Sequence, residues 1–226
     1  MDRPVTTLFM LMSVDGKIST GSTDEMDMDR DFPKISGVKE GLHQYYEIEQ
    51  TTDLWSFNTG RVQAKMGVNE KEMPAKTQVS FVLLDNHHLT EHGVRYFCAL
   101  SKQVVLITSN ASHPAFRVEA DNIHIIFQEH PALSAALSRL KNECGCDRLT
   151  VQSGGTVNGL FLREKLLDYV DIIVVPVLIG GRETATLIDG RSLVSTGELS
   201  ELGALKLTDC SVLEDSYIRL RYEVVK

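Results

Sequence analysis

Short, unbroken apolar runs that stop at polar turns limit this chain to a small set of folds. Leu8 to Met12 is such a run, and Val79 to Leu84 (V-S-F-V-L-L) and Val104 to Thr108 (V-V-L-I-T) are strands of nearly the same character. A strand with water on one face alternates polar and apolar residues. A continuous apolar run needs cover on both faces, as in a parallel sheet flanked by helices. Ile123 to Phe127, Arg148 to Gln152 and Tyr169 to Ile179 read as further strands, and Asp53 to Asn58 as a shorter one. Between them the period changes to that of helices. Pro131 to Cys144 carries Leu133, Ala136, Leu137 and Leu140 on one face, with Gly145 positioned to end it. Helices are also predicted from about Val38 to Gln50, over Val94 to Leu100 and over Val157 to Leu167. Val62 to Thr77 gives no clear period, and the acidic stretch Gly21 to Arg30 reads as a mobile loop. From Ala204 onward, Leu205 and Leu207, then Ile218, Leu220, Tyr222 and Val224, alternate with polar residues. This pattern predicts two antiparallel strands joined near Glu214-Asp215. The expectation is one α/β domain over residues 1–226, with a mainly parallel sheet and a C-terminal antiparallel hairpin.

Each apolar run ends in residues that could do chemistry, and open α/β sheets bind ligands beyond the carboxyl ends of their strands. The first run ends at Ser13-Val14-Asp15-Gly16-Lys17, a turn with a carboxylate and an ammonium close together. An ordinary Asp-Gly turn explains the same residues. Ser153-Gly154-Gly155-Thr156 lies between a strand and a helix. Adjacent glycines allow close backbone approach, and the helix start offers N–H groups to an anion such as a pyrophosphate. Thr108-Ser109-Asn110 and Asp85-Asn86 follow two other strands and could hold a ribose or its phosphate.

Other classes are excluded or disfavoured. A net charge of -8 over 226 residues argues against a nucleic-acid partner. Val170 to Ile179, broken by Asp171 and Pro176, is too short for a membrane span. The first residues show no signal-peptide pattern, so Cys98, Cys144, Cys146 and Cys210 are expected to be reduced thiols of a cytoplasmic protein. His87, His88 and His92 lack the companions of a metal site, and no G-x-S-x-G elbow is present.

Four motifs occur in a fixed order: M-S-V-D-G-K-I-S from Met12, T-G-R-V from Thr59, S-G-G-T from Ser153 and V-V-P-V-L-I-G-G from Val174. Together they resemble the RibD C-terminal domain, the reductase of riboflavin biosynthesis within the dihydrofolate reductase-like superfamily. The resemblance implies a three-layer α/β fold with a central mixed, mainly parallel sheet. It also implies an NADPH-dependent reductase similar to 5-amino-6-(5-phosphoribosylamino)uracil reductase. Such an enzyme reduces a small-molecule ribosylamino-pyrimidine phosphate and opens its ribose to a ribityl chain. Homodimers are usual in the family. By similarity the cofactor would lie against Leu11, Ser13, Thr59, Gly60, Arg61, Asn86, Gly154, Gly155, Thr156, Val157 and Asn158. No arginine is clearly placed for its 2′-phosphate; Ser109 is the candidate contact and Arg61 a second. Asp15 and Lys17 match the turn beside the reacting centre, with Lys17 as the acid and Asp15 orienting it. The chain departs from the family pattern at Arg61, Lys65, Ser153 and Glu49, where threonine, an acidic residue, glutamate and arginine are expected. These departures keep open a pterin or folate-type reductase, and a nucleotide-binding module without activity.

Overall fold

The computed structural model describes residues 2–226. Along the chain come β1 (Val5–Ser13), α1 (Met28–Asp31), α2 (His43–Glu49), β2 (Trp55–Thr59) and α3 (Gly60–Lys65). Then follow β3 (Ser80–Leu84), α4 (Glu91–Leu100), β4 (Val104–Thr108), β5 (Ile123–Phe127), α5 (Leu133–Cys144) and β6 (Arg148–Val151). The last elements are α6 (Gly155–Arg163), β7 (Tyr169–Val175), β8 (Leu205–Val212) and β9 (Ile218–Val224). They form two compact units, one of residues 2–5 with Asp53–Ser153, the other of Thr6–Thr52 with Gly154–Lys226.

In the first unit the strands run in the order β5-β4-β3-β2-β6, and the pairings are parallel. β4 is buried at every position, as its V-V-L-I-T sequence requires. Leu83, Val94, Phe97, Val104 and Leu106 share one apolar cluster with Ala115 and Val118. Helix α5 buries Leu133, Ala136, Leu137 and Leu140, the stripe read from the sequence. Gly145 ends it in the left-handed region at φ 73°, where its N–H donates to Lys141 and that of Cys146 to Leu140.

In the second unit β1 pairs parallel with β7, and β7 pairs antiparallel with β9, which carries β8 at its other side. Phe9, Leu11, Phe32, Leu42, Tyr45 and Ile173 lie in its core. The rings of Phe9 and Tyr45 stack with centroids 5.2 Å apart. Tyr217, at the entry to β9, is fully buried, and its hydroxyl donates to the Val38 carbonyl at 2.6 Å. The expected α/β alternation and terminal hairpin are therefore present.

Several boundaries differ from the sequence reading, each for a local reason. α2 starts at His43, because 36–42 is a chain of turns that carries Val38 to Tyr217. A short helix, α3, fills part of the polar stretch after Thr59. α4 begins at Glu91, three residues early, because the Thr90 hydroxyl caps it by accepting from the Gly93 N–H. α6 begins at Gly155 rather than Val157 and ends at Arg163, where Lys165 turns to φ 56°. β7 ends at Val175, since Pro176 has no N–H to continue the ladder. Within the acidic stretch, Asp27 caps the short helix α1 through the N–H of Asp29. No helix of the described residues is long and apolar enough to cross a membrane.

A Cβ added at Gly41 would lie 2.6 Å from the Tyr217 ring. Gly41→Ala is expected to cost roughly 1–3 kcal/mol through overpacking. Urea unfolding would show this as a lower midpoint with an unchanged slope, and an unchanged midpoint would mean that the ring yields.

Candidate functional site

In the unit of Asp53–Ser153 the candidate residues gather where β2, β3 and β4 end. β3 delivers Asp85, whose side chain is sealed from solvent. Its carboxylate accepts from His113 Nε2 at 2.9 Å, His88 Nδ1 at 2.9 Å and the backbone N–H groups of His88 and Leu89. His113 Nδ1 accepts from the Ala115 N–H, so its proton sits on Nε2, facing Asp85. Burial by itself would raise the Asp85 pKa. The hydrogen bonds from His113, Leu89 and His88 outweigh it and hold the carboxyl well below the usual carboxylate range. The same carboxylate fixes the Thr59-Gly60-Arg61 turn, because a Cβ on Gly60 would stand 2.3 Å from Asp85 Cγ. Only glycine allows α3 to start there, and Arg61 stands exposed beside it.

Asn86 and Ser109 do come together. Asn86 Oδ1 accepts from the Thr108 hydroxyl at 2.9 Å and from the Ser109 N–H at 2.8 Å, and the Ser109 hydroxyl lies 3.2 Å away. Asn110 closes the cluster by donating its amide to the Asn86 carbonyl at 2.7 Å. A row of side-chain hydrogen bonds runs along one side of β2 and was not singled out from the sequence. Gln63 donates to Asn58, Asn58 to Ser56, and Ser56 to Gln152. The sequence W-S-F-N-T carries no signal for this, because the burial of Ser56 and Asn58 shows only in the structure.

In the other unit, Ser13 ends β1 fully buried and builds the turn after it. Its hydroxyl donates to Asp15 at 2.6 Å and accepts from the Lys17 N–H at 2.9 Å, while Gly16 supplies φ 81°. Asp15 also accepts from the N–H groups of Ile179 at 3.1 Å and Gly180 at 2.6 Å. The Ser13 hydroxyl and these two amides lower its pKa to about 2. The buried Lys17 ammonium donates to the carbonyls of Gly181 at 2.7 Å and Thr184 at 2.9 Å. Among the described residues the two side chains do not pair with each other; both grip the chain after β7. Gly180 and Gly181, at φ 71° and 82°, let that chain turn back to be gripped.

The double glycine divides its work. Space beside Gly154 is open, whereas a Cβ on Gly155 would stand 2.3 Å from both Asp189 Oδ2 and the Thr186 carbonyl. Gly155 is therefore required by the chain's own packing rather than by a ligand. The Asn158 side chain is fully buried and donates to the Leu187 carbonyl at 2.9 Å. Thr156 is exposed and Val157 half-buried on the first turn of α6. The N–H groups of Gly155 and Thr156 have no acceptor among the described residues, and they lie at the positive end of the helix. Leu11 is a core residue of this unit. Glu49 and Lys65 stand last in α2 and α3, and Ser153 is buried after β6.

Asp85 predicts an acid limb in stability. A carboxyl with a depressed folded pKa stabilises the fold above its unfolded value, roughly 3.9, and that contribution is lost as pH falls through the folded pKa. Asp85→Asn should lower stability at neutral pH and flatten the loss between about pH 4 and 2. Chemical denaturation at a series of pH values tests this; parallel curves for the two proteins would contradict it.

Comparison with known proteins bears on the same residues. The family described as RibD C-terminal domain matches residues 4–217. The 2,5-diamino-6-ribosylamino-4(3H)-pyrimidinone 5′-phosphate reductase of Methanothermobacter thermautotrophicus is 26% identical over 215 residues, covering 84% of this chain and 86% of its own. The protein of the same name from Archaeoglobus fulgidus is 24% identical over 212 residues, covering 88% and 93%. Acinetobacter baumannii RibD superposes with a TM-score of 0.70 at 16% identity over 100% of this chain, which spans 59% of that longer protein. A pyrimidine reductase-like protein of Corynebacterium diphtheriae superposes with a TM-score of 0.63 at 13% identity, over 100% of this chain and 93% of its own. With 4–217 matched and both units carrying the motifs in order, the chain belongs to the RibD C-terminal domain family.

Proposed function

We propose that this protein is an NADPH-dependent reductase of a ribosylamino-pyrimidinone 5′-phosphate, with the whole chain working as one reductase domain in a cytoplasmic homodimer. The observation that carries the reading is the nearly end-to-end match to two reductases named for that substrate. NADPH, when bound, supplies a hydride from its nicotinamide C4, and the acceptor would be ribose C1′ of the ring-opened substrate. The chain's own donors suit such a cofactor. Gly154, with open space beside it, and the unengaged N–H groups of Gly155 and Thr156 suit an anionic pyrophosphate. Thr59, Gly60, Asn86 and Ser109 suit a ribose and its hydroxyls, and Arg61 with Ser109 a 2′-phosphate. Ser13, Leu11 and Asn158 are buried and Val157 is half-buried, so their part would be to hold the backbone of β1 and α6 in place rather than to present a polar side chain.

Lys17 is the candidate acid. Two of its N–H groups go to Gly181 and Thr184. The third would hold the ribose ring oxygen and give it a proton as the ring opens. Asp15 acts by positioning, because it holds the Ile179 and Gly180 amides of the chain that Lys17 also grips. Protonation by a placed side chain contributes on the order of 10²–10⁴ in rate. Lys17→Met is therefore expected to lower kcat by at least about 10² while NADPH binding stays near wild type. NADPH and NADH titrations followed by fluorescence, with NADPH oxidation on the ribosylamino-pyrimidinone phosphate and on dihydrofolate, test the reading as a whole. Turnover on the first with tighter NADPH binding is expected; absence of NADPH binding would contradict it.

A further inference from the structure

The row of polar side chains on β2 has no place in the mechanism above and is costly to keep. Ser56 and Asn58 are buried, and β2 turns fully buried Phe57 the other way. An apolar pair at these positions would need no hydrogen-bond partners, whereas each buried hydroxyl or amide must be met by another polar group. The chain meets them in series. Ser56 Oγ donates to Gln152 Oε1 at 3.0 Å and so accepts from Asn58 Nδ2 at 2.8 Å. Asn58 is thereby turned so that its Oδ1 faces outward along the row, where it accepts from Gln63 Nε2 at 2.9 Å. Each bond fixes the orientation of the next amide, and the series ends at half-buried Gln63. The Gln63 side-chain oxygen Oε1 and the second Nε2 hydrogen have no partner among the described residues. The orientation of this terminal amide is therefore fixed from inside the unit, while its remaining donor and acceptor are left for something else. Gln63 lies in α3, directly after the Thr59-Gly60-Arg61 turn.

We propose that Gln63, aligned through Asn58 and Ser56, is a specificity-determining residue that reads the planar amide edge of a ring-bearing ligand. The inference rests on the reductase reading, which supplies two ligands with that chemistry: the pyrimidinone of the substrate and the carboxamide of the nicotinamide. An amide already held in one orientation binds such an edge without the entropy cost of ordering it. The row itself carries no formal charge, which matches an uncharged amide edge.

The test compares wild type, Gln63→Leu and Ser56→Ala. Direct NADPH binding is read by fluorescence, and KM and kcat are measured for NADPH and for the ribosylamino-pyrimidinone phosphate. Loss of one neutral hydrogen bond corresponds to about tenfold in affinity. Gln63→Leu is expected to raise KM for one ligand by about that factor with kcat little changed. A rise for the pyrimidine assigns the amide to the substrate, and a rise for NADPH with matching weaker direct binding assigns it to the nicotinamide. Ser56→Ala, two bonds away, should weaken the same ligand in the same direction, which a purely structural role would not do. If Gln63→Leu does not fold, Gln63→Glu keeps the length and one oxygen and is expected to weaken the same ligand. Unchanged KM for both ligands in a folded Gln63 variant overturns the proposal and leaves the reductase reading standing. A wild type that neither binds nor oxidises NADPH overturns both.

Discussion

Asp85 carries its charge where water does not reach it, so the chain itself must meet its lone pairs. Two histidines and two backbone amides do so. Leaving such a charge without its partners costs roughly 3–5 kcal/mol, so its surroundings are fixed with it. His113 holds the segment after β4, His88 and Leu89 hold the segment after β3, and Gly60 can only be glycine because the carboxylate occupies its side. One buried carboxylate thus sets the geometry of three strand ends. These are the places where an open parallel sheet offers its backbone to a ligand. The Asn86–Ser109–Asn110 cluster is built on the residues immediately beyond.

The unit of Thr6–Thr52 and Gly154–Lys226 solves a similar problem with opposite charges that do not meet. Asp15 is satisfied by the Ser13 hydroxyl and by amides of one stretch after β7, and Lys17 by carbonyls of the same stretch, so the charges hold a loop rather than each other. A direct pair would satisfy the two charges without holding the loop. Spending the charges on backbone groups instead defines the path of residues 177–184 and leaves one ammonium N–H for other use.

The layout of strands and helices was legible because it depends on local pattern. V-V-L-I-T at β4 and the stripe from Leu133 to Leu140 each read out directly, and Gly145 marked its helix end by the φ it needed. The boundaries that moved did so through contacts distant in sequence or through backbone chemistry outside the hydrophobic period: Tyr217 holding Val38, Thr90 capping α4, Pro176 ending β7. The site was legible as a set of turns but not as a division of labour. Gly155 looked like a ligand-facing glycine, yet its space belongs to Asp189, thirty-four residues on in the chain. Asp15 and Lys17 looked like partners, yet apart from the Ser13 hydroxyl on Asp15 their side chains bind groups more than 160 positions away. Asn58 was missed because a polar residue on a short strand reads as solvent-facing until the burial of Ser56 and Asn58 is seen, and Gln63 because it lies in a polar stretch with no clear period.

The central claim is that this family member moves a hydride to ribose C1′ of a pyrimidine nucleotide precursor. NADPH carrying deuterium at both C4 positions, incubated with the protein and the ribosylamino-pyrimidinone 5′-phosphate, tests it most directly. A single deuterium at C1′ of a ribityl product, seen by mass spectrometry and NMR, is the predicted result. Intact substrate beside unconsumed NADPH, or deuterium at any other carbon, would contradict the account.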